Sequence, residues 1–102
     1  MKSKNYIGKK VLVRCNRAGV FFGTLAEFDS ISREATLSNV RRIWYWDGAA
    51  SLSQLATDGT NEPRSCKFTV IVPEMSVMEV IEILPCSDKA IKSIEEVSVW
   101  QR

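Results

Sequence analysis

The sequence predicts a mainly β protein, a small five-stranded barrel with one short helix inserted after the third strand and a second helix near its C-terminus. Three observations carry this expectation. Apolar and polar residues alternate at period two over several short stretches, turns rich in Gly, Asp and Ser separate them, and the period changes to helical spacing after Asp47 and after Ser87. With 102 residues the chain has room for one modest core, so a single domain over residues 1–102 is expected.

Taken in order, Val11, Val13 and Cys15 alternate with Lys10, Arg14 and Asn16, the pattern of a half-buried first strand that Leu12 interrupts. Arg17-Ala18-Gly19 supplies a turn, and Val20 to Phe28 resumes as a second strand, with Gly23 inside it where a sheet bends sharply or receives another backbone. Asp29 to Glu34 has loop composition, and Ala35 to Tyr45 reads as a long third strand. One of its faces carries Leu37, Asn39, Arg41, Ile43 and Tyr45; the other carries Val40, Arg42 and Trp44, with Trp46 following. Alternation alone leaves open which face is buried.

Residues 47–65 form the expected helix and loop insertion. Ser51-Leu52-Ser53-Gln54 has capping-box spacing, Leu52, Leu55 and Ala56 share a helical face, and Asp58-Gly59 ends the segment. Thr60 to Ser65 is polar and is the expected mobile loop. Cys66 to Val72 reads as a fourth strand stopped by Pro73, and Val77 to Leu84 as a fifth, before Pro85. Ser87-Asp88 then opens a helix over about residues 87–97, with Ala90, Ile91, Ile94 and Val97 on its apolar face. Short strands, tight turns, a bent second strand and an edge helix describe an SH3-like barrel.

Composition narrows the function. Hydrophobic residues at 45% and charged residues at 25% are those of an ordinary globular protein, and no apolar run approaches the roughly 20 residues that span a bilayer. Met1 to Tyr6 holds no signal-peptide core, so a cytoplasmic location without membrane contact is expected. Cys15, Cys66 and Cys86 have neither paired number nor metal-site spacing, which argues for free thiols and no metal. The absence of histidine removes the usual general base, so a non-catalytic protein without cofactor is expected. A net charge of +2 confines any anion site to a local patch.

That patch is expected at Val40 to Leu55, where Arg41 and Arg42 run into Trp44, Tyr45 and Trp46, and an Asp47-Gly48 turn leads to Ser51, Ser53 and Gln54. Planar cations pair with phosphate, π-faces stack on bases, and helix-start amides and hydroxyls receive an anion. A small nucleotide is the first ligand this set fits, with Arg41 or Arg42 on phosphate and Trp44, Tyr45 or Trp46 on the base. An oligonucleotide is the second, with Lys9, Lys10, Arg14, Arg17 and Arg33 along its backbone. A protein partner is the third, with Trp44, Trp46 or Trp100 as anchors.

Two resemblances add to this. Gly8 to Val13, Gly19 to Asp29 and Leu37 to Val40 together resemble the first signature of Sm-like proteins, which implies an Sm-like barrel and an oligonucleotide-binding role. The second Sm signature, a short strand ending in Arg-Gly, is not visible. Over the whole chain, Arg41 to Ala49, Leu52 to Ala56 and Glu79 to Pro85 resemble a family of small uncharacterised bacteriophage and prophage proteins. That likeness implies an accessory protein of the host-cell cytoplasm, of the kind that assembles as a homo-oligomer and sequesters a nucleotide signal of bacterial immunity.

Overall fold

The computed structural model describes residues 6–102, so the basic start at residues 1–5 lies outside the described chain. Strands β1 (Lys10–Cys15), β2 (Gly19–Asp29) and β3 (Glu34–Tyr45) form an antiparallel meander, followed by α1 (Leu52–Asp58), a 3-10 turn (Pro63–Ser65), β4 (Lys67–Phe68), β5 (Val72–Val77), β6 (Val80–Pro85) and α2 (Asp88–Glu95). The order across the sheet is β4-β3-β2-β1-β6, with β5 also paired to β3. The expected barrel is therefore present as an antiparallel sheet of six strands with two helices, open between β5 and β6.

The bend is built where glycine predicted it. A Cβ on Gly23 would lie 3.1 Å from the Ser38 carbonyl oxygen and 3.4 Å from Val40 Cα, so β3 passes over β2 at a distance only glycine allows without displacement. Across from it, Asn39 takes φ 52°, and the β2–β3 register slips between Phe22 and Thr24. The two halves of β3 thereby face different partners, Ala35 to Val40 against β5 and Ile43 to Tyr45 against β4.

This division corrects the expected fourth strand. Cys66 to Val72 is not continuous: β4 ends at Phe68, and Thr69 turns the chain by exchanging bonds with Arg42, its amide donating to the Arg42 carbonyl (3.1 Å) and its Oγ1 accepting from the Arg42 amide (2.9 Å). Pro73 does not stop a strand but sits inside β5, which pairs with β3 alone and is an edge, where a missing donor is tolerated. The Thr60 to Ser65 segment is anchored at its start, where the Thr60 amide donates to Ser93 Oγ (2.9 Å) and the Ser93 hydroxyl donates to the Thr60 carbonyl (3.2 Å).

Two apolar cores explain the irregularity at Leu12. Val11, Val13, Phe21, Leu25, Leu37 and Val40 fill the inside of the curved sheet, while Leu12, Phe22, Ile43, Phe68, Leu55 and Ile94 fill a second core on its other side. The middle strands are buried on both faces because α1 and α2 cover the outer one. Ser51 caps α1 by accepting from the Gln54 amide (3.0 Å), and Ser87 caps α2 by accepting from the Ala90 amide (3.0 Å), as the spacing predicted. Ala90, Ile94 and Val97 are buried, Ile94 and Val97 in the second core. Gly59 ends α1 at φ 77°, where any Cβ would collide with the Ser93 side chain, so the α1–α2 contact depends on it. No helix is long and apolar enough to cross a membrane among the described residues.

Candidate functional site

The structure does not bring the Arg41 to Gln54 constellation together; it distributes those residues over three environments. Arg41 is 3% exposed. Its Nη1 donates to the carbonyls of Ile94 (3.0 Å) and Val97 (2.9 Å), its Nε to Thr69 (3.1 Å) and its Nη2 to Phe68 (3.3 Å), and the group lies 5.4 Å from the Phe68 ring centroid. Among the described residues, no carboxylate lies within ion-pair distance of it. The cation is solvated by four carbonyls, two of them at the C-terminal end of α2, where the helix dipole is negative. Burial lowers the guanidinium pKa, but an arginine remains charged at neutral pH. The phosphate role expected of Arg41 is therefore replaced by a structural one: its donors bind the chain's own carbonyls.

Trp46 and the cap residues are also turned inward. Trp46 packs on the second core and its indole N–H donates to the Ala49 carbonyl (3.3 Å). Ser51 accepts from the Gln54 amide, Gln54 Oε1 accepts from the Ala50 amide (2.7 Å), and the Ser53 carbonyl accepts from the Thr57 hydroxyl (2.8 Å). The Ser51 and Gln54 side chains and the Ala50 and Gln54 amides, expected to help cradle an anion, are thus occupied by the cap itself. Ser53 stays exposed, at the start of a helix of only 7 residues.

Arg42, Trp44 and Tyr45 remain at the surface. Arg42 lies with its guanidinium carbon 4.6 Å from the Phe21 ring centroid, its Nη1 donating to the Ala18 carbonyl (2.5 Å) in the β1–β2 turn. Two residues along β3, Trp44 is 61% exposed and Tyr45 48%. Arg42 and Trp44 line a shallow groove of about 220 Å³ whose floor is Ala18, Gly19, Val20 and Ile43. On the other side of Trp44, the Trp100 indole stands with its centroid 5.6 Å away at an interplanar angle of 55°. Lys67 Nζ lies 5.8 Å from the Trp44 centroid and 5.4 Å from that of Trp100.

Lys67 and its place against the two indoles had no signal in the sequence. The residue reaches Trp44 only because β4 pairs with the end of β3, with a slip in register between Ile43 and Tyr45. Trp100 reaches it because Val99 forms a parallel bridge with Phe68 and the Trp100 amide donates to the Phe68 carbonyl (2.8 Å). Among the described residues, no carboxylate lies within ion-pair distance of Arg42 or Lys67.

The basic track expected for an oligonucleotide backbone is mostly neutralised. Lys10 pairs with Glu95, Arg14 with Glu82 (2.7 Å) and Arg17 with Glu79 through two bonds, one of 3.0 Å. The Arg17 guanidinium holds the Glu79 carboxyl below its ordinary range. A wider hollow of about 610 Å³ lies at the β2–β3 loop, but Glu27, Asp29 and Glu34 line it, and the amides of Ile31 and Ser32 keep the Asp29 carboxyl low as well. A polyanion is repelled there. Two of the three thiols are held protonated: burial pushes Cys86 up to about 12 and raises Cys15 too, where Arg42 pulls back only in part.

In fold the chain is similar to solved Sm proteins. The similar solved structures are of that kind: a heptameric archaeal Sm protein, with TM-score 0.54 and 22% identity over 82% of this chain and 94% of that one, and the SmAP1 heptamer of P. aerophilum, with TM-score 0.54 and 22% identity over 82% and 86%. The chain itself belongs to the family defined by the domain of unknown function DUF6948, whose model matches residues 8–94. No curated protein matches it.

Proposed function

We propose that this protein is a non-catalytic, single-strand nucleic-acid-binding module of Sm-like architecture, and that its contact face is the surface of Trp44, Lys67 and Arg42. The observation that carries this reading is the exposure of Trp44 at 61% beside a cation that no carboxylate pairs with among the described residues. A large indole left open at a strand end supplies a stacking surface that tolerates any base, worth about 1–3 kcal/mol per base. Lys67 lies 5.8 Å from its ring centroid, and the groove that Arg42 and Trp44 line gives the strand a path. A small nucleotide is disfavoured because the groups expected to enclose it point into three separate environments, leaving an open face that suits an extended strand.

Assembly is part of the proposal. Among the described residues β5 pairs only with β3 and β6 only with β1, which leaves an edge on each, and Ile81 and Met78 are 44% and 51% exposed there. Head-to-tail pairing of one copy's β5 with the next copy's β6 buries both edges and closes a ring of identical contacts. The similar Sm structures are heptamers, which fits that closure. Light scattering reads the assembly directly: a mass several times 11.5 kDa supports the ring, and a monomer at micromolar concentration removes it.

The binding reading is tested with a labelled single-stranded oligonucleotide titrated at low and moderate salt. Lys67 and Arg42 on phosphates give a slope of log K against log salt of about −1.4, near −0.7 per contact. Binding that ignores salt, or no binding at low salt, overturns it.

A further inference from the structure

Trp100 occupies the inner side of the stacking surface, and the way it is held points to a movable cover. Arg41 fixes α2 and the following turn through the Ile94 and Val97 carbonyls. Beyond Val97 that clamp has no hold. Residues 98–102 are exposed, and they attach to the sheet through the Val99–Phe68 bridge, the Trp100 amide bond to the Phe68 carbonyl and the contact of the Trp100 ring with Trp44 and Lys67. A buried anchor is thus followed immediately by a short strap held by few contacts, a design in which the strap opens without disturbing the core.

The geometry of the indoles decides what this does to a ligand. A base inserted between two parallel rings needs about 6.8 Å between them, twice the roughly 3.4 Å rise of stacked bases. The centroids of Trp44 and Trp100 are 5.6 Å apart and their planes are inclined at 55°, so no base fits between them while the strap is docked. Lys67 Nζ lies against both rings in the same arrangement, so the docked strap sets its ammonium beside Trp100 as well as Trp44.

We propose that residues 98–102 are an intramolecular competitor for the nucleic-acid face: Trp100 takes the place of a base on Trp44, and a single strand binds fully only when the strap leaves β4. This rests on the reading of Trp44 and Lys67 as a stacking and phosphate site. The strap then sets apparent affinity through the fraction of molecules in which it is open, and closure nine-tenths of the time weakens binding about tenfold.

Trp100→Ala tests this, read by anisotropy of a fluorescein-labelled oligothymidylate and by circular dichroism. The Trp100 side chain is 44% exposed and belongs to neither core, so the variant keeps the fold, which its thermal transition verifies. Affinity is expected to rise about tenfold over the wild type. In the wild type, saturating oligonucleotide is expected to abolish the exciton couplet that the two indoles produce, and Trp100→Ala is expected to lack that couplet from the start. Equal or weaker binding by Trp100→Ala, or a couplet that persists at saturation, overturns the strap and makes Trp100 part of the platform. Absence of binding by both proteins overturns the nucleic-acid reading itself.

Discussion

Arg41→Ala is expected to destabilise the protein by about 3–5 kcal/mol, a loss comparable with removing one partner of a buried charged network. The variant deletes donors to four carbonyls, those of Ile94, Val97, Thr69 and Phe68, and the three at Ile94, Val97 and Phe68 are reached inside the protein. A buried carbonyl left without a donor costs roughly 1–3 kcal/mol, and the vacated side-chain volume adds to it. For a chain of this size the melting temperature should fall by at least about 12 °C, at roughly 4–8 °C per kcal/mol. Arg41→Lys recovers little, because one ammonium does not reproduce a planar fork that serves carbonyls on α2 and β4 at once. A thermal melt of Arg41→Ala that matches the wild type would show that α2 does not depend on this clamp.

Trp44→Ala is expected to do the opposite, leaving stability within about 1 kcal/mol while weakening single-strand binding by about five- to a hundredfold. The first part follows from exposure: the indole is 61% accessible and its losses are one tilted aromatic contact and one cation–π contact. The second follows from the worth of one stacked base, about 1–3 kcal/mol. Trp44→Phe retains a π-face and should recover part of the affinity, which separates stacking from a general disturbance of β3. Anisotropy titrations beside thermal melts read both quantities. Unchanged affinity in Trp44→Ala would move the site elsewhere on the surface.

The contrast between these neighbours explains which parts of the molecule were legible in the sequence. Strand β1, the bend at Gly23, both helix caps and the buried face of α2 follow from local rules, period and spacing, and the structure has them where those rules put them. Leu12 looked like an error in an alternating strand because alternation assumes one wet face, and here α2 and α1 cover both Leu12 and Phe22. The split of Cys66 to Val72 into two strands was invisible because it is imposed from β3, which bends at Asn39 and presents two directions for pairing.

The site was legible in kind but not in arrangement. Arg41 and Arg42 are identical in sequence terms, and period two places them on opposite faces without saying which is inside. Only the arrival of α2, with free carbonyls at its end, selects Arg41 as the buried cation. Lys67 and Trp100 lie 23 and 56 residues beyond Trp44, and their meeting is a product of the β3–β4 ladder and the Val99–Phe68 bridge. Fold-level likeness to Sm proteins does not supply this site, since it depends on side chains that topology alone does not assign.

The tryptophans offer the most direct measurement, because the chain has three and they occupy different environments. Trp44 and Trp100 flank Lys67 at the surface, whereas Trp46 packs on the second core with its indole N–H donated to Ala49. In a nitrogen–proton correlation spectrum, with each indole assigned by single substitution, titration with a single-stranded oligonucleotide should shift the Trp44 and Trp100 signals progressively and leave Trp46 in place. A strand that binds while Trp44 and Trp100 stay fixed, or that perturbs Trp46 alone, would contradict the assignment of this face.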